Sequence, residues 1–390
     1  MSAAMERRAA FAQSGLPSRK LESWRYTDLR PLAALDPIAA PAIVDTTALA
    51  ADLPALSGPR LVFVNGRRAP ALSVAPPSDI IAAGGFVADP ARFAALPLAV
   101  LNAQFAQEGA EIVVPDRFDA GRLTLVHLTQ AEDTTPVFTH LRHRIALGAG
   151  ATLTLVEYAA GHGVYWHNPV IEITLAPGAR LRHIRIQAET QESFHTATLF
   201  VDLLAGARYE AFTLGLGARL ARSETHARLG GTGAHAALSG AQLLRGNQHG
   251  DITSVVAHDA PGCTSRQTVK NVLAGRARGV FQGRIEVARA AQKTDGYQMS
   301  QALLLSPEAE IDCKPELEIF ADDVKCSHGA TIGALDPEQL FYLRARGIPE
   351  AAARAILVRA FLDEALEDVT DGPARGLLDE AIAGWWEGAR

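Results

Sequence analysis

The chain has 390 residues, of which 48% are hydrophobic and 21% are charged. At roughly 150 residues per domain this length fits two or three domains, and the composition excludes a disordered chain. The formal net charge of −6 lacks the basic field that nucleic-acid binders carry. We therefore expect no nucleic-acid partner.

Three widely spaced cysteines, Cys263, Cys313 and Cys326, form no Cys-x-x-Cys pair. They favour reduced thiols over a disulfide framework or a self-contained thiolate metal site. The first residues, Met1–Phe11, lack the apolar stretch of a signal peptide, and no window approaches the roughly 18 apolar residues of a membrane span. We expect a cytoplasmic protein with no membrane partner.

The first region, residues 1–110, is predicted to be a domain of helices and loops. It is rich in alanine and proline, and a helix is indicated at Met5–Ser14. The run LVFVNG at Leu61–Gly66 predicts a short strand that enters a hairpin, because Asn-Gly favours tight turns between strands.

Residues 111–333 are predicted to form the core, from many short runs that alternate apolar and polar residues between turns. A Gly-Ala pair recurs at Gly150, Gly178, Gly206 and Gly233, at spacings of 28, 28 and 27 residues. Such a period is typical of stacked architectures, so a parallel β-helix is favoured over a sandwich. The abundance of glycine and alanine in the chain is the competing explanation of the spacing.

Residues 334–390 are predicted to form a C-terminal helical domain. Asp336 and Pro337 supply an N-cap and a first helical residue. Gly347 is placed to end this first helix, and Pro349 to open a second one.

The second helix is expected to bury one face, and a third helix is expected to follow Pro373. The predicted buried face consists of Ala353, Ile356, Leu357, Ala360 and Phe361. The third helix carries an apolar stripe of Leu377, Leu378, Ile382, Trp385 and Trp386. The two tryptophans of this stripe either pack back on the helical domain or form a partner-binding face.

Common catalytic motifs are absent from the sequence. It contains no phosphate-binding P-loop, no Gly-x-Ser-x-Gly and no His-Glu-x-x-His. All twelve histidines lie between His127 and His328. A strand histidine is more often a hydrogen-bonded surface group than a metal ligand, so most of them are interpreted as surface residues.

One pair of potential ligands stands apart. If the segment is extended, Cys326 and His328 lie on one face, about 6.6 Å apart along the strand. Two ligands do not complete a metal site, so the others would come from Cys313 or from a second chain. On spacing alone, a buried inert cysteine beside a solvated histidine remains the favoured interpretation.

Blocks along most of the chain resemble the SufB/SufD family of iron–sulfur cluster assembly scaffolds. The most specific are ALLLS, KCSHGAT and LFYLRARGI, which occur in this order between Ala291 and Leu362. Earlier blocks are LESWRYTDL, LVFVNGR and LNAQFAQEGAEIVVP. The Trp-Arg-Tyr-Thr and Ser-His-Gly-Ala-Thr segments resemble the SufD branch of this family.

This resemblance implies a right-handed parallel β-helix flanked by N-terminal and C-terminal helical domains. It implies a scaffold subunit that is not itself an enzyme. The subunit would pair with SufB through the β-helix and bind the SufC ATPase, which carries the ATPase activity, through its C-terminal helices. A transient iron–sulfur cluster would be built at the interface with SufB.

The resemblance also implies roles for particular residues. His328 matches a histidine implicated as a cluster ligand, and Cys326 matches the cysteine beside it. Cys313 replaces an expected small polar residue, and a buried structural role is favoured over an added ligand. The SufC contact is expected at Phe341, Tyr342, Arg346 and Gly347. No cofactor is expected on the isolated chain, and a flavin on the complex is left open.

Two alternatives remain at this stage. The chain could act without SufB as a homodimeric scaffold, with two copies of His328 and Cys326 facing each other across a two-fold axis. It could instead be a β-helix carbohydrate-active enzyme, which would require export and a cleft with paired carboxylates.

Overall fold

The computed structural model describes residues 15–43, 46–83, 93, 95–106, 108–132 and 134–387. The helix predicted at Met5–Ser14 lies outside these residues. The strands are β1 (Ile38–Ala39), β2 (Arg60–Val64), β3 (Arg67–Arg68), β4 (Ile81–Ala83), β5 (Glu111–Val114), β6 (Asp119–Gln130), β7 (Val137–Thr139), β8 (Arg142–Leu147), β9 (Thr152–His162), β10 (Tyr165–His167), β11 (Val170–Leu175), β12 (Arg180–Gln187), β13 (Phe194–Leu203), β14 (Arg208–Gly215), β15 (Leu220–Leu229), β16 (His235–Leu244), β17 (His249–His258), β18 (Thr264–Leu273), β19 (Arg278–Val287), β20 (Asp295–Leu304), β21 (Glu310–Ile319) and β22 (Lys325–Gly333).

Helices are few. The α-helices are α1 (Arg30–Ala33), α2 (Pro97–Phe105), α3 (Pro337–Ala345), α4 (Glu350–Leu366) and α5 (Gly372–Glu387), and short 3₁₀ segments lie at Glu22–Trp24, Thr47–Asp52 and Pro70–Leu72. None of the helices in the described part of the chain is long and apolar enough to cross a membrane.

The strands form two long sheets that wind around a common interior. Sheet A follows the order β21-β19-β17-β15-β13-β11-β8-β5-β4, and sheet B follows β22-β20-β18-β16-β14-β12-β9-β6-β2-β3. From β13 onward, consecutive strands alternate between the sheets, and each pairs in parallel with the strand two positions earlier. The protein is therefore a mainly β, parallel β-solenoid of about eight turns. This confirms the prediction of a stacked architecture over a sandwich.

The repeated Gly-Ala pairs lie at stacked turns of the solenoid. Gly150, Gly178, Gly206 and Gly233 all have φ between 63° and 71°, a left-handed conformation that glycine adopts without steric cost. Each donates its N–H to a carbonyl in the next coil, such as Gly150 to Pro177 at 2.9 Å. The spacing of the repeat is the length of one coil, because each turn must lie on the one before it.

The N-terminal region extends both sheets. Residues Leu61–Gly66 form the predicted hairpin, with Asn65 and Gly66 at φ of 50° and 73° and Phe63 paired with Arg68. Strand β2 pairs in parallel with β6, and β4 pairs antiparallel with β5. The expected N-terminal helical domain is thus represented, in the described residues, by short helices and by strands that join the solenoid.

The C-terminal helices cover the outer face of sheet B. Helix α3 begins as predicted, because the Asp336 carboxylate accepts hydrogen bonds from the backbone N–H groups of Glu338 and Gln339. Gly347 has a φ of 83° just after the helix ends. Helices α4 and α5 pack against outward residues of sheet B, among them Phe212 and Leu243.

The predicted buried face of α4 is partly wrong. Ala353 is buried, but Ile356 is exposed and Leu357 and Phe361 are only partly buried. The face that packs against sheet B and α5 consists of Val358, Leu362, Ala365 and Leu366. Alanines occur on several sides of this helix, so the sequence pattern does not distinguish two neighbouring apolar faces.

The apolar stripe of α5 packs inward. Leu378, Ile382 and Trp385 are buried in the cluster shared with α4 and sheet B, and Trp386 is partly buried against it. Arg245 donates a hydrogen bond to the carbonyl of Trp385 at 3.1 Å. The structure therefore favours the packing role of these tryptophans over a partner-binding face.

Candidate functional site

The last coil of the solenoid is open. Strands β21 and β22 end sheets A and B, and no strand in the described part of the chain pairs with their outer edges. Their residues are partly or fully exposed, whereas most residues of the preceding strands β19 and β20 are buried or partly buried. The backbone of this coil is thus available for pairing with another strand.

His328 lies on the inner face of this coil. It pairs in register with Gln298 of β20, which is completely buried inside the solenoid. Neighbouring residues in a parallel in-register ladder point to the same side of the sheet, so the imidazole lies on the lumen side. The residue is exposed because no further coil covers it. A ring nitrogen at this position is accessible to a metal carried by a second chain.

Cys326 shares this face of the strand, as the i and i+2 spacing predicts. It pairs with Gly296, where an added Cβ would lie 3.4 Å from the Cys326 Sγ. Its side chain packs with Ile285 and Leu317 in an apolar cluster. Burial raises the pKa of the Cys326 thiol, which disfavours the thiolate form that binds metals.

Cys313 lies on the inner face of the opposite sheet. It pairs in register with the buried Phe281, and its Sγ lies 3.4 Å from the Ser300 hydroxyl. Burial also raises the pKa of this thiol. The three predicted ligand residues therefore share the inner wall of one coil, with the histidine the most exposed of them.

These residues do not form a complete metal site on their own. No group of three or more His, Cys, Asp or Glu residues within the described ranges is arranged to hold a metal ion. The expectation that further ligands come from a second chain stays a prediction.

The rim of the open coil is apolar. Ile319 ends β21, Phe320 follows it with 66% of its surface exposed, and Ile332 lies near the end of β22 and is also exposed. Exposed apolar side chains beside unpaired strand edges are typical of interaction surfaces.

Helix α3 presents a second exposed surface. None of its residues is buried, and Phe341 and Tyr342 are 73% and 58% exposed. The guanidinium of Arg346 lies 5.1 Å from the centre of the Tyr342 ring. The four residues predicted for the SufC contact are thus neighbours on one short helix and its C-terminal turn.

The interpretation of most histidines as surface groups is wrong. The buried ones are His127, His140, His143, His167, His183, His195 and His258. Several line the early coils, where His127 Nδ1 lies 3.3 Å from His167 Nε2. The alternation of residues along a strand does not distinguish the lumen side of a solenoid from its outer side, so the sequence did not predict their burial.

Comparisons with known proteins point to one class, the proteins of iron–sulfur cluster assembly. Residues 127–361 match the family described as SUF system FeS cluster assembly, SufBD core domain. The chain is 34% identical to the iron–sulfur cluster assembly protein SufD of Escherichia coli, over 95% of this chain and 89% of that protein. It is 32% identical to an iron–sulfur cluster assembly SufBD family protein of Synechocystis, over 94% of this chain and 87% of that one.

A chloroplastic protein of Arabidopsis thaliana is 37% identical over 60% of this chain and 49% of its own length. The matched region of the family includes strand β22 and helix α3, which carry the KCSHGAT and LFYLRARGI blocks. The chain belongs to the SufBD family of iron–sulfur cluster assembly proteins, and it is SufD-like.

Proposed function

We propose that this chain is a non-enzymatic scaffold subunit that forms one wall of a cluster-assembly site, with a SufB-like solenoid forming the other. The observation that carries this proposal is the open last coil, with unpaired strand edges and His328 on its inner face. A second solenoid docked on these edges would continue the hydrogen-bond ladders and cover the apolar rim.

The nascent cluster is the cargo of this site. His328 would supply a neutral imidazole nitrogen, while the partner would supply thiolate and carboxylate ligands. Histidine in place of thiolate is a known ligand of iron–sulfur clusters. A cluster bound between two subunits can be released when one subunit moves, which suits a carrier that must pass its product on.

Helix α3 would bind a SufC-like ATPase through Phe341 and Tyr342. Helix α4, next in the chain, is attached to sheet B, because Lys270 of β18 forms an ion pair with Glu364 and lies 4.7 Å from the Phe361 ring centre. Movement of the ATPase would thereby be transmitted through α3 and α4 to the solenoid, while ATP hydrolysis itself would take place in the SufC-like partner.

We also propose that the protein acts in the cytoplasm, where its cysteine thiols would stay reduced.

Size-exclusion chromatography with SufB-like and SufC-like partners tests the pairing. Phe320→Asp and Ile332→Asp place charges on the apolar rim and should abolish pairing with the SufB-like chain while leaving SufC binding intact. Leu204→Asp is the matched control, because Leu204 is also an exposed apolar residue but lies at a turn of an earlier coil, away from the rim. Undiminished pairing by both rim variants would contradict the proposal.

The same open edges also fit a second copy of this chain. If the rim variants alter only self-association, and the SufB-like chain never binds, the homodimeric scaffold becomes the better description. The family membership favours both scaffolds over the carbohydrate-active alternative.

A further inference from the structure

A column of glutamines leads to His328 from inside the solenoid. In-register pairing places Gln267 of β18 beneath Gln298 of β20, and Gln298 beneath His328 of β22. Neighbouring strands in a sheet are about 4.8 Å apart, so consecutive side chains of such a column are within reach of each other. Both glutamines are buried, with at most 1% of their surface exposed.

The Gln298 carboxamide crosses the interior to the opposite sheet. Its Nε2 donates a hydrogen bond to the Glu316 carbonyl oxygen at 3.2 Å. This bond fixes which end of the carboxamide is the oxygen. Oε1 has no hydrogen-bond partner in the described residues, although it is completely buried. A buried acceptor without a partner is rare and costly, so it calls for a physical explanation.

Space for this carboxamide is provided by Gly283 of β19. An added Cβ at Gly283 would lie 2.3 Å from the Gln298 Oε1 and 2.6 Å from the Phe281 ring. Glycine at this position therefore lets the side chain of Gln298 extend across the lumen below the open coil.

A histidine that binds iron through one ring nitrogen carries a proton on the other. Metal-bound histidines almost always donate that N–H to an oxygen acceptor, which fixes the tautomer and the ring orientation. The imidazole of His328 forms no hydrogen bond within the described residues, and the unpaired Gln298 Oε1 belongs to the residue directly beneath it. Both lone pairs of the Gln298 Oε1 are available, so this atom can accept the N–H without losing another hydrogen bond.

We propose that Gln298 is the positioning residue of the cluster site: its Oε1 accepts the N–H of the His328 imidazole and leaves the other ring nitrogen free for iron. The inference rests on the proposed function of His328. No bond to the cluster is assigned to Gln298 itself, because it lies one coil inside the open end.

Two readouts test the role. Nitrogen NMR of the full-length free chain, labelled with ¹⁵N-histidine, measures the ratio of the two neutral tautomers of His328. Anaerobic reconstitution of the complex with SufB-like and SufC-like partners measures how fast a chelator removes the cluster. We expect Gln298→Met to shift the tautomer ratio and to speed cluster loss by about tenfold, while Gln298→Glu, which keeps an acceptor, restores both.

Gln267→Met is the matched control, because it changes the same residue type in the same column one coil deeper. It should leave the release rate near the wild-type value. Gly283→Ala, which displaces the carboxamide without removing it, should resemble Gln298→Met. Wild-type values of either readout in Gln298→Met overturn the inference, provided that its melting temperature shows a folded chain.

The outcomes separate this inference from the proposed function. If His328→Ala retains its cluster, the ligand role of His328 fails, and the tautomer ratio of the free chain still decides whether Gln298 orients the ring. If His328→Ala loses its cluster while Gln298→Met behaves as wild type, only the role of Gln298 fails.

Discussion

The guanidinium of Arg222 lies against the indole of Trp24, with its central carbon 4.1 Å from the ring centroid. Arg222 is buried and pairs with Asp251 at 2.5 Å and with Glu224 at 3.1 Å. Thr27 donates a hydrogen bond to the same Asp251 carboxylate. The Trp-Arg-Tyr-Thr segment is thus attached to the outer face of sheet A by buried charges.

Removal of the indole should destabilise the whole fold. Trp24→Ala leaves a cavity above a buried charged group, and we expect it to lower the free energy of unfolding by about 3–5 kcal/mol. Tyr26→Ala, two residues away and only partly buried, should cost less than about 1 kcal/mol. Chemical denaturation measures both, and equal losses in the two variants would show that the Trp24 contact has no special role.

Stability should fall as the solution is acidified below about pH 6.5. Burial lowers the pKa of His140 and His167 to about 3 and that of His143 to about 4. Between pH 6.5 and these folded pKa values, the unfolded chain binds protons at these histidines and the folded chain does not. Each of them therefore lowers the free energy of unfolding by on the order of 1 kcal/mol per pH unit in that range.

The buried carboxylate of Glu224 should also make the fold less stable on acidification, but at lower pH than the histidines. Burial alone would raise the pKa of Glu224, but Arg222 and His226 lower it to about 2. Its contribution to stability is lost as the pH falls below its unfolded value of about 4.5. Denaturation between pH 7 and 4 should show a smaller slope of stability against pH for His143→Gln than for the wild type. Identical slopes in the two proteins would refute this account.

The thiols should be slow to react near neutral pH. Burial raises the pKa of Cys263, Cys313 and Cys326, and the thiolate is the reactive form. Iodoacetamide should label the partly buried Cys313 and Cys326 faster as the pH rises above 9, and the fully buried Cys263 only after unfolding. Mass spectrometry of peptides from labelled protein identifies each site. Rapid labelling of Cys326 at pH 7 would reveal a thiolate and reopen its role as a ligand.

The exposed aromatic side chains of α3 should matter for binding and not for folding. Phe341→Ala and Tyr342→Ala remove little buried surface, so each should change the free energy of unfolding by less than about 0.5 kcal/mol. Each should weaken SufC binding by tenfold or more if these aromatics are the anchors of the interface. Leu204→Ala, an exposed apolar residue elsewhere, is the control in calorimetric titration. Unaltered affinity in both α3 variants would remove this helix from the interface.

Local rules predicted much of the architecture. The left-handed turns at Gly150 and Gly178 produced the coil-length period, and Asp336 marked the start of α3 because N-caps depend only on neighbouring residues. The alternation in KCSHGAT placed Cys326 and His328 on one face. The assignment of His328 as a ligand came from the family resemblance and not from spacing.

These local rules did not predict which residues of successive coils lie next to each other. Gln298 lies beneath His328 because one coil separates them by 30 positions in the sequence, and this length varies from coil to coil. The burial of His127 and His143 depends on which side of each sheet faces the lumen. Which face of a strand points into the lumen is determined by how the whole solenoid closes and not by the sequence of any single strand.

One comparison tests most directly whether His328 of the open coil is a cluster ligand, as we propose. Iron and sulfide are reconstituted anaerobically on the complex of this chain with its SufB-like and SufC-like partners, using wild type, His328→Ala and Cys326→Ala. The account predicts that all three assemble, that His328→Ala alone loses most of its bound cluster, and that Cys326→Ala retains it. Equal cluster yields in all three assembled complexes would contradict the account and leave this chain a purely architectural arm.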